Sequence, residues 1–311
     1  MSDRVASRRG SESLTTGCGL VECAHDVVWV RGPDTVVFLD GLLSQRIEGT
    51  AAGSVVRSLL LAPNGKLRAT LFLLPGVDEM GIVADRGSGR TVLEDLERFK
   101  IRVDVEVEPE GRVGLELWGP GAPRVLAAAG LPRPDGWSVS PFVASLPFPH
   151  TDLPRFLLLG AEAETLAGAG AIPVDRADVE AMRIEQGEAV MGRDVDEGTI
   201  PHETGLVAQS VDFDKGCYLG QELVARIDSR GRVNRHLRTL VIETGTVPEP
   251  GAGLYSGDDP VGEVTSAVFS AAAGAPVAMA LIRREVDPGD HLAVRWGGLE
   301  GRAVVCEPPL T

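Results

Sequence analysis

The segment with the clearest chemical potential is DKGCYLGQE, from Asp214 to Glu222. It places Cys217 two residues after Lys215. An apolar pattern at helical spacing follows, formed by Leu219, Leu223, Val224 and Ile227. The pattern predicts a helix that begins close to Cys217, with Asp212 or Asp214 as its cap. A helix N-terminus and a nearby cation both favour thiolate over thiol, so Cys217 is a candidate reactive thiol and Lys215 its partner. A buried structural cysteine in a tight loop is the alternative.

Lysine is scarce in this chain. Of its 30 basic residues, only Lys66, Lys100 and Lys215 are lysines. Lysine is a compact donor that can change protonation state, whereas arginine stays charged. Lys66, in PNGK, and Lys215, in DKGC, are therefore candidates for roles that need a lysine. Chance placement is the alternative.

Two other polar groups are weaker candidates. One is an arginine cluster formed by Arg226, Arg230, Arg232, Arg235 and Arg238. In an acidic protein such a cluster would attract an anionic ligand tail or form a solvated surface. Cys18, Cys23 and His25 form C-x4-C-x-H, which is not a standard zinc spacing. No metal site is expected.

Composition limits the function classes. The chain has 311 residues, enough for two or three domains, and its hydrophobic and charged fractions of 43% and 24% are those of a globular protein. A formal net charge of −15 disfavours a general nucleic-acid or anionic-membrane binder. The polar N-terminal segment has no apolar signal-peptide region, and no stretch reaches transmembrane length. With four cysteines in so long a chain, a disulfide framework is not expected, and a cytoplasmic location is predicted.

The first half of the chain alternates strands and helices. Residues 27–30 form a predicted strand. A turn at Gly32-Pro33 leads into a helix whose buried face is predicted to carry Val36, Val37, Leu39, Leu42 and Leu43. VVRSLLLAPNGKLRATLFLLP predicts a hairpin that turns at residues 63–65. GRTVLEDLERFK predicts a helix, and IRVDVEVEP alternates as a strand with one wet face.

A second cycle and a β-rich region follow. RVGLELWGP and FLLLG are predicted strands, and GAPRVLAAAG and ADVEAMRIEQG are predicted helices. After Arg235, short strands separated by Gly, Pro and Asp turns predict a small β-barrel or sandwich. The fold class is α+β, with predicted units at 1–18 (a flexible tail), 19–234 and 235–311. Neither a GxGxxG fingerprint nor a GxxxxGK[ST] phosphate loop is present.

KGCYLGQE resembles the signature K-G-C-Y-x-G-Q-E of the YgfZ-like branch of the superfamily that includes the glycine-cleavage aminomethyltransferase. Four other segments resemble parts of that superfamily: VRGPDTVVFLDGLLSQ its N-terminal strand and helix, LLLAPNGKLRATLFLL its hairpin, MRIEQGEAVMGRDVDEGTIPHE its R-x-E-x-G segment, and GEVTSAVFS with ALIRREV its C-terminal barrel. The resemblance runs from about Gly19 to the end.

The resemblance implies two ferredoxin-like halves around a folate pocket, followed by a small β-barrel. It implies tetrahydrofolate as the ligand and a role in the assembly or repair of iron–sulfur enzymes, which would be the protein partners. Glu185, in MRIEQG, is by its position in the R-x-E-x-G segment the implied pterin ligand, and a carboxylate can accept two parallel hydrogen bonds from a pterin ring edge. A solvated glutamate at a helix end is the alternative. The other implied folate-binding residues are Arg183, Tyr218, Gln221, Arg226, Asn64 and Lys66.

One segment departs from the superfamily pattern. The aminomethyltransferases carry an acidic pair on the second hairpin strand, where this chain has Arg68, Ala69 and Thr70. No carboxylate is expected there to stabilise a developing cation or to transfer a proton. An iron–sulfur factor with Cys217 as its working thiol is therefore the first hypothesis. A one-carbon transferase that uses other acid–base groups and a non-catalytic folate-binding or thiol-redox module are the rivals.

Overall fold

The computed structural model describes residue 10 and residues 12–310, with helices and strands throughout that range. The first part contains β1 (Gly19–Glu22), β2 (His25–Arg31), α1 (Thr35–Asp40), β3 (Val56–Leu61), β4 (Leu67–Pro75), β5 (Glu79–Asp85), α2 (Gly89–Phe99) and β6 (Glu106–Pro109). The second part contains β7 (Gly114–Trp118), α3 (Ala122–Ala128), β8 (Trp137–Val139), β9 (Phe142–Ser145), β10 (Arg155–Leu159), α4 (Ala163–Gly168), β11 (Ile172–Pro173), α5 (Arg176–Glu185), a 3-10 helix (Pro201–Glu203), α6 (Val207–Ser210) and α7 (Gln221–Arg230).

Two open sheets form the two halves. One has the order β3-β4-β5-β2-β6, and the other has the order β11-β1-β7-β10-β9-β8. The apolar residues of α2, Val92 and Leu96, are fully buried against the first sheet. A separate core between the sheets includes Trp29, Phe72 and Trp137. The chain passes from one sheet to the other between β1 and β2, through Cys23 and Ala24.

A closed barrel follows the two sheets. Its strands are β12 (Arg235–Ile242), β13 (Gly253–Ser256), β14 (Asp259–Ser270), β15 (Ala275–Arg283), β16 (His291–Trp296) and β17 (Leu299–Cys306). They close in the order β12-β15-β14-β13-β16-β17 around an apolar interior. The predicted α+β class, with two sheet-and-helix halves and a small barrel, is confirmed.

The structure corrects two local predictions. Of the predicted buried face, Leu39, Leu42 and Leu43 are buried, but Val36 and Val37 are 42% and 77% exposed, because the six-residue α1 turns Phe38 towards the core in their place. The strand predicted from residue 101 begins at Glu106, since Arg102 has a φ of +57°, which an extended strand does not allow.

The N-terminal segment also differs from the predicted tail. Residues 12–16 are helical, and Leu14 is buried with Trp118 and Met182. Residues 1–9 and residue 11 lie outside the described residues. None of the helices in the described range is long and apolar enough to cross a membrane.

Candidate functional site

Cys217 lies on an exposed loop ahead of α7. The helix begins at Gln221, so Cys217, predicted at or just before the first turn, lies four residues before it. Gly220 is the N-cap, with a φ of +79°, and the Gln221 amide oxygen accepts the Tyr218 N–H at 3.1 Å. The predicted caps do not contact the helix: Asp212 accepts the Asp214 N–H at 2.8 Å.

Lys215 is held by backbone carbonyls. Its Nζ donates to the carbonyl oxygens of Asp40 at 2.7 Å, Leu43 at 2.9 Å and Gln45 at 2.9 Å. These three bonds use all the protons of the ammonium. Burial lowers the pKa of Lys215, and the Asp40 carboxylate at 3.3 Å opposes that shift. The side chain is 1% exposed, so its geometry fits a role in holding the loop.

Further contacts fix both flanks of the Cys217 loop to residues 41–46. On one side the Leu219 N–H donates to the Gly41 carbonyl at 3.1 Å. On the other side, the Ser44 carbonyl accepts the Asp212 N–H at 3.1 Å, and Arg46 donates to the Asp212 carboxylate at 2.7 Å. The exposed Cys217 therefore lies between two anchored flanks.

The β3–β4 hairpin packs against the same loop. A Cβ added at Gly65 would lie 2.5 Å from the Leu223 Cβ, and one at Gly220 would lie 2.5 Å from the Ala62 carbonyl oxygen. Close approach of the two backbones requires both glycines. The structure thus brings the predicted residues Asn64 and Lys66 beside the Cys217 segment. The Asn64 carboxamide accepts the Lys66 N–H at 3.2 Å within the turn.

Glu185 is buried at the end of α5. Ser270 of β14 donates a hydrogen bond to its carboxylate, and Ser270 in turn accepts the Ala273 N–H at 2.9 Å. Burial raises the pKa of Glu185, and the Ser270 bond acts in the opposite direction. Among the described residues, no basic side chain is paired with this carboxylate. Its acceptor capacity is therefore only partly used within the protein.

Arg183 is fully engaged inside the protein. Its guanidinium donates to Asp194 at 2.8 Å, to the Glu188 carbonyl at 3.0 Å, to Ser266 at 2.9 Å and to the Glu180 carboxylate. These bonds use its five N–H groups, so this geometry leaves no donor for the predicted folate contact. Arg183 joins α5 to the barrel strand β14.

Three other candidates differ in accessibility. Tyr218 is buried, and burial raises the pKa of its phenol to about 12. Gln221 is half-buried and uses its amide oxygen in the turn before α7, whereas Arg226 is exposed on that helix. Of the predicted arginine cluster, Arg235 is paired with Glu203 at 3.1 Å.

Comparisons with known proteins agree with this architecture. The family model for the glycine cleavage T-protein C-terminal barrel domain matches residues 235–311. An aminomethyltransferase of Streptomyces coelicolor is 27% identical over 309 residues, covering 88% of this chain and 82% of that protein. The tRNA-modifying protein YgfZ of Pectobacterium carotovorum is 27% identical over 235 residues, covering 72% and 70%. These similarities support a YgfZ-like member of the glycine-cleavage T-protein superfamily.

A solved structure supports the fold of this YgfZ-like chain. The crystal structure of the glycine cleavage system aminomethyltransferase T from Bartonella henselae has a TM-score of 0.86 and 23% sequence identity. It covers 98% of this chain and 89% of its own. The similarity extends across both halves and the barrel.

The departure on the second hairpin strand takes a specific form in this chain. Arg68 is paired with Asp95 at 2.8 Å and with Glu197. Thr70 donates to the carboxylate of Asp85 on β5 at 3.1 Å. Asp85 also accepts the Met191 N–H at 2.8 Å, and burial raises its pKa. The prediction that no carboxylate lies here is therefore wrong, because the adjacent antiparallel strand supplies one.

Sequence reasoning also missed a buried group of charges between the sheets. Arg57 donates to Glu188 at 2.7 Å and lies 4.4 Å from the centre of the Phe72 ring. Arg155 lies on the same ring and 3.6 Å from Glu188. The Arg57 Nε is buried without a partner among the described residues. The sequence signal for this group is that Arg57 and Arg155 each lie within an apolar strand segment. Arginine is rarely buried unless it is paired, so such a position indicates a buried ion pair.

A groove of about 620 Å³ lies between α5 and the barrel. Its charged lining includes Arg176, Glu180 and Arg193. Since Glu185 is five residues after Glu180, it projects about 140° around the helix from that side chain. The groove and the candidate pterin ligand therefore lie on different faces of α5.

Proposed function

We propose that this protein is a cytoplasmic tetrahydrofolate-binding factor that serves the assembly or repair of iron–sulfur enzymes, with Cys217 as its working thiol. The observation that carries the proposal is the loop of the KGCYLGQE segment. Cys217 is exposed, while Lys215 and Leu219 on either side are anchored to residues 40–45. A cysteine that serves only as packing is usually buried. A fixed, accessible thiol suits attack on a partner, ligation of iron or disulfide exchange.

The buried carboxylate of Glu185 supports a folate ligand. It has one side-chain partner, Ser270, among the described residues and no paired cation. A pterin edge that offers two parallel N–H groups would complete its hydrogen bonding. Desolvation raises the pKa of this group, and donors from a ligand would stabilise the charged form.

The partners we propose are iron–sulfur enzymes rather than RNA. Several similar proteins are named tRNA-modifying protein YgfZ. This chain has a formal net charge of −15, which disfavours direct association with a polyanion. An acidic folate-binding factor would influence RNA modification by supporting the enzymes that carry it out.

Folate titration by calorimetry tests the proposal. Tetrahydrofolate, methylene-tetrahydrofolate and oxidised folate should be compared on the wild type, on Glu185→Gln and on Glu164→Gln, a control at an exposed position of α4. We expect one reduced form to bind best and Glu185→Gln to weaken it by about 1.5–3 kcal/mol. Absence of binding by every folate would remove the premise, and equal affinities of the three proteins would reject Glu185.

The role of Cys217 needs a separate assay in cells that lack the protein. Cys217→Ser should fold and bind folate but fail to support the activity of iron–sulfur enzymes, whereas Cys306→Ser should support it. Full support by Cys217→Ser would favour a non-catalytic folate-binding module.

Because of Asp85, a folate-dependent one-carbon transferase is the second candidate function. It is a carboxylate beside Thr70, in the region where the related enzymes carry their acidic pair. We nevertheless expect no methylene-tetrahydrofolate at an enzymatic rate from an aminomethylated lipoyl carrier protein and tetrahydrofolate. Arg68, Ala69 and Thr70 replace the pair, and Asp85 is held by two hydrogen bonds. Robust turnover that Asp85→Asn abolishes would establish the rival.

A further inference from the structure

Three metal-ligating side chains converge where the chain passes between the two sheets. The sulfur of Cys23, a ring nitrogen of His25 and a carboxylate oxygen of Glu116 all lie within 4.8 Å of one another. The His25 Nδ1 lies 2.8 Å from the Glu116 Oε1. Cys23 and Glu116 are buried, and the His25 side chain is 7% exposed. The third ligand comes from a distant strand, so the spacing of Cys18, Cys23 and His25 does not reveal the group.

The three donors come from both halves of the fold. Cys23 follows β1, His25 is the first residue of β2, and Glu116 lies on β7, which pairs with β1. The two ligands near β1 therefore bracket Ala24, the residue that links the sheets. An ion bound here would join strands of both sheets through side-chain ligands.

The surroundings orient the donors. The Glu116 Oε2 accepts the Trp118 indole N–H at 2.7 Å, and its Oε1 accepts the Ala24 N–H at 2.9 Å. Hydrogen bonds of this kind fix a ligating carboxylate. Gly114 leaves room for the sulfur, because a Cβ at that position would lie 2.8 Å from the Cys23 Sγ.

We propose that Cys23, His25 and Glu116 form a structural site for a divalent transition-metal ion, best suited to Zn²⁺, that ties the two sheets together. Thiolate, imidazole and carboxylate are the donors that zinc uses, at about 2.0–2.3 Å. Those bond lengths place tetrahedral ligands roughly 3.3–3.8 Å apart, so small side-chain movements would close the site. A fourth, non-protein ligand such as water would complete the coordination.

Protons leave when the ion enters. Zn²⁺ binds a thiolate and the Nδ1 of a neutral imidazole, so the Cys23 thiol loses its proton and a His25 imidazolium loses its Nδ1 proton while keeping the one on Nε2. Two protons are exchanged for one divalent cation, and no electron is transferred. The local charge is unchanged, which matters because Arg155 and Glu188 lie close to this buried region.

The test uses the full chain with Cys217→Ser as its background, since an exposed thiol binds zinc adventitiously. The protein is treated with a chelator, reloaded with Zn²⁺ alone and analysed for bound metal and thermal unfolding. We expect one zinc ion per chain and a higher unfolding temperature with zinc. Adding Cys23→Ser or His25→Gln should remove both effects, whereas Cys18→Ser, at a buried cysteine in another cluster, should leave both intact.

Cobalt substitution covers the case in which the ligand variants fail to fold. Co²⁺ in the background protein should give the near-ultraviolet charge-transfer band of a cobalt–thiolate bond. Absence of bound zinc, zinc retained by folded Cys23→Ser, or a cobalt spectrum without thiolate character would each overturn the proposal.

Discussion

At the scale of single residues, exposure distinguishes the four cysteines. Cys217 is exposed, Cys18 and Cys23 are buried, and Cys306 is half-buried. Burial raises the pKa of Cys18 to about 12, although Arg124 acts in the opposite direction, and burial also raises the pKa of Cys306. Reaction with an alkylating agent requires both access and thiolate. Access favours Cys217, whereas the raised pKa values of Cys18 and Cys306 disfavour reaction at those two thiols.

We therefore predict that Cys217 is alkylated first in the native protein. At pH 7 a thiol with a pKa near 12 is thiolate in only about one molecule in 10⁵, so Cys18 should remain unmodified until the protein unfolds. Iodoacetamide labelling over time, with each site identified by peptide mass, measures the order. The same experiment in denaturant is the control. If Cys217 reacted only in denaturant, its role as a working thiol would be rejected.

Glu185 gives a pH prediction at the same scale. Its carboxyl pKa is raised by burial, and only the deprotonated form accepts two N–H groups from a ligand. Folate affinity should therefore be full above the raised pKa and fall as the pH drops through it. Glu185→Gln should flatten this dependence between pH 4.5 and 7.5. Calorimetry across that range is the measurement, and an unchanged pH profile in the variant would contradict the assignment.

At the scale of elements, the Cys217 loop depends on two backbones that touch. Gly220 has a φ of +79°, and its Cα faces the hairpin turn. We predict that Gly220→Ala lowers the free energy of unfolding by about 1–3 kcal/mol, through backbone strain and a clash with the Ala62 carbonyl. Gly216→Ala is the matched control, because a Cβ there meets nothing within 4 Å. Urea unfolding of both variants measures the difference, and equal midpoints would mean that the hairpin contact is unimportant.

An element is predictable from sequence when the interactions that determine it lie within its own segment. The β3–β4 hairpin, α2 and the barrel strands were predictable because apolar periodicity and turn residues lie within each segment. The orientation of α1 was not, since Val36 and Phe38 have similar hydrophobicity and only the sheet determines which one is buried. The start of α7 was misplaced because Gly220, rather than an aspartate, caps it.

The candidate site was predictable in its residue types and less so in their roles. Lys215 bonds to carbonyls 170 or more residues away, and nothing near it in sequence indicates those partners. Arg183 meets Ser266 of the barrel in the same way. Asp85 reaches Thr70 only through pairing between neighbouring strands. Long-range contacts of this kind decide whether a polar residue binds a ligand or supports the fold.

At the scale of the whole molecule, α5 connects the second sheet to the barrel. Its C-terminal end carries Arg183 and Glu185, which bond to Ser266 and Ser270 of β14. The Glu185 carbonyl also accepts the Leu310 N–H at 2.8 Å, so the end of the chain returns to the same helix. The candidate pterin ligand is thus positioned by barrel residues, and loosening the barrel should disturb it.

The last prediction tests this connection through Arg183. Arg183→Met keeps the apolar stem but leaves the buried Asp194 carboxylate without its cation, while Glu180 keeps its bond to Arg193. Removing one partner of a buried ion pair costs about 3–5 kcal/mol, so the urea midpoint should fall substantially. Arg193→Met is the matched control. The Arg193 side chain is 38% exposed, so the loss of its ion pair with Glu180 should change the free energy of unfolding by less than about 1 kcal/mol. In a folded Arg183→Met protein, folate affinity should fall together with stability, because Glu185 shares the barrel contact. If the two variants had equal stability, α5 would be joined to the barrel by apolar packing instead of this arginine.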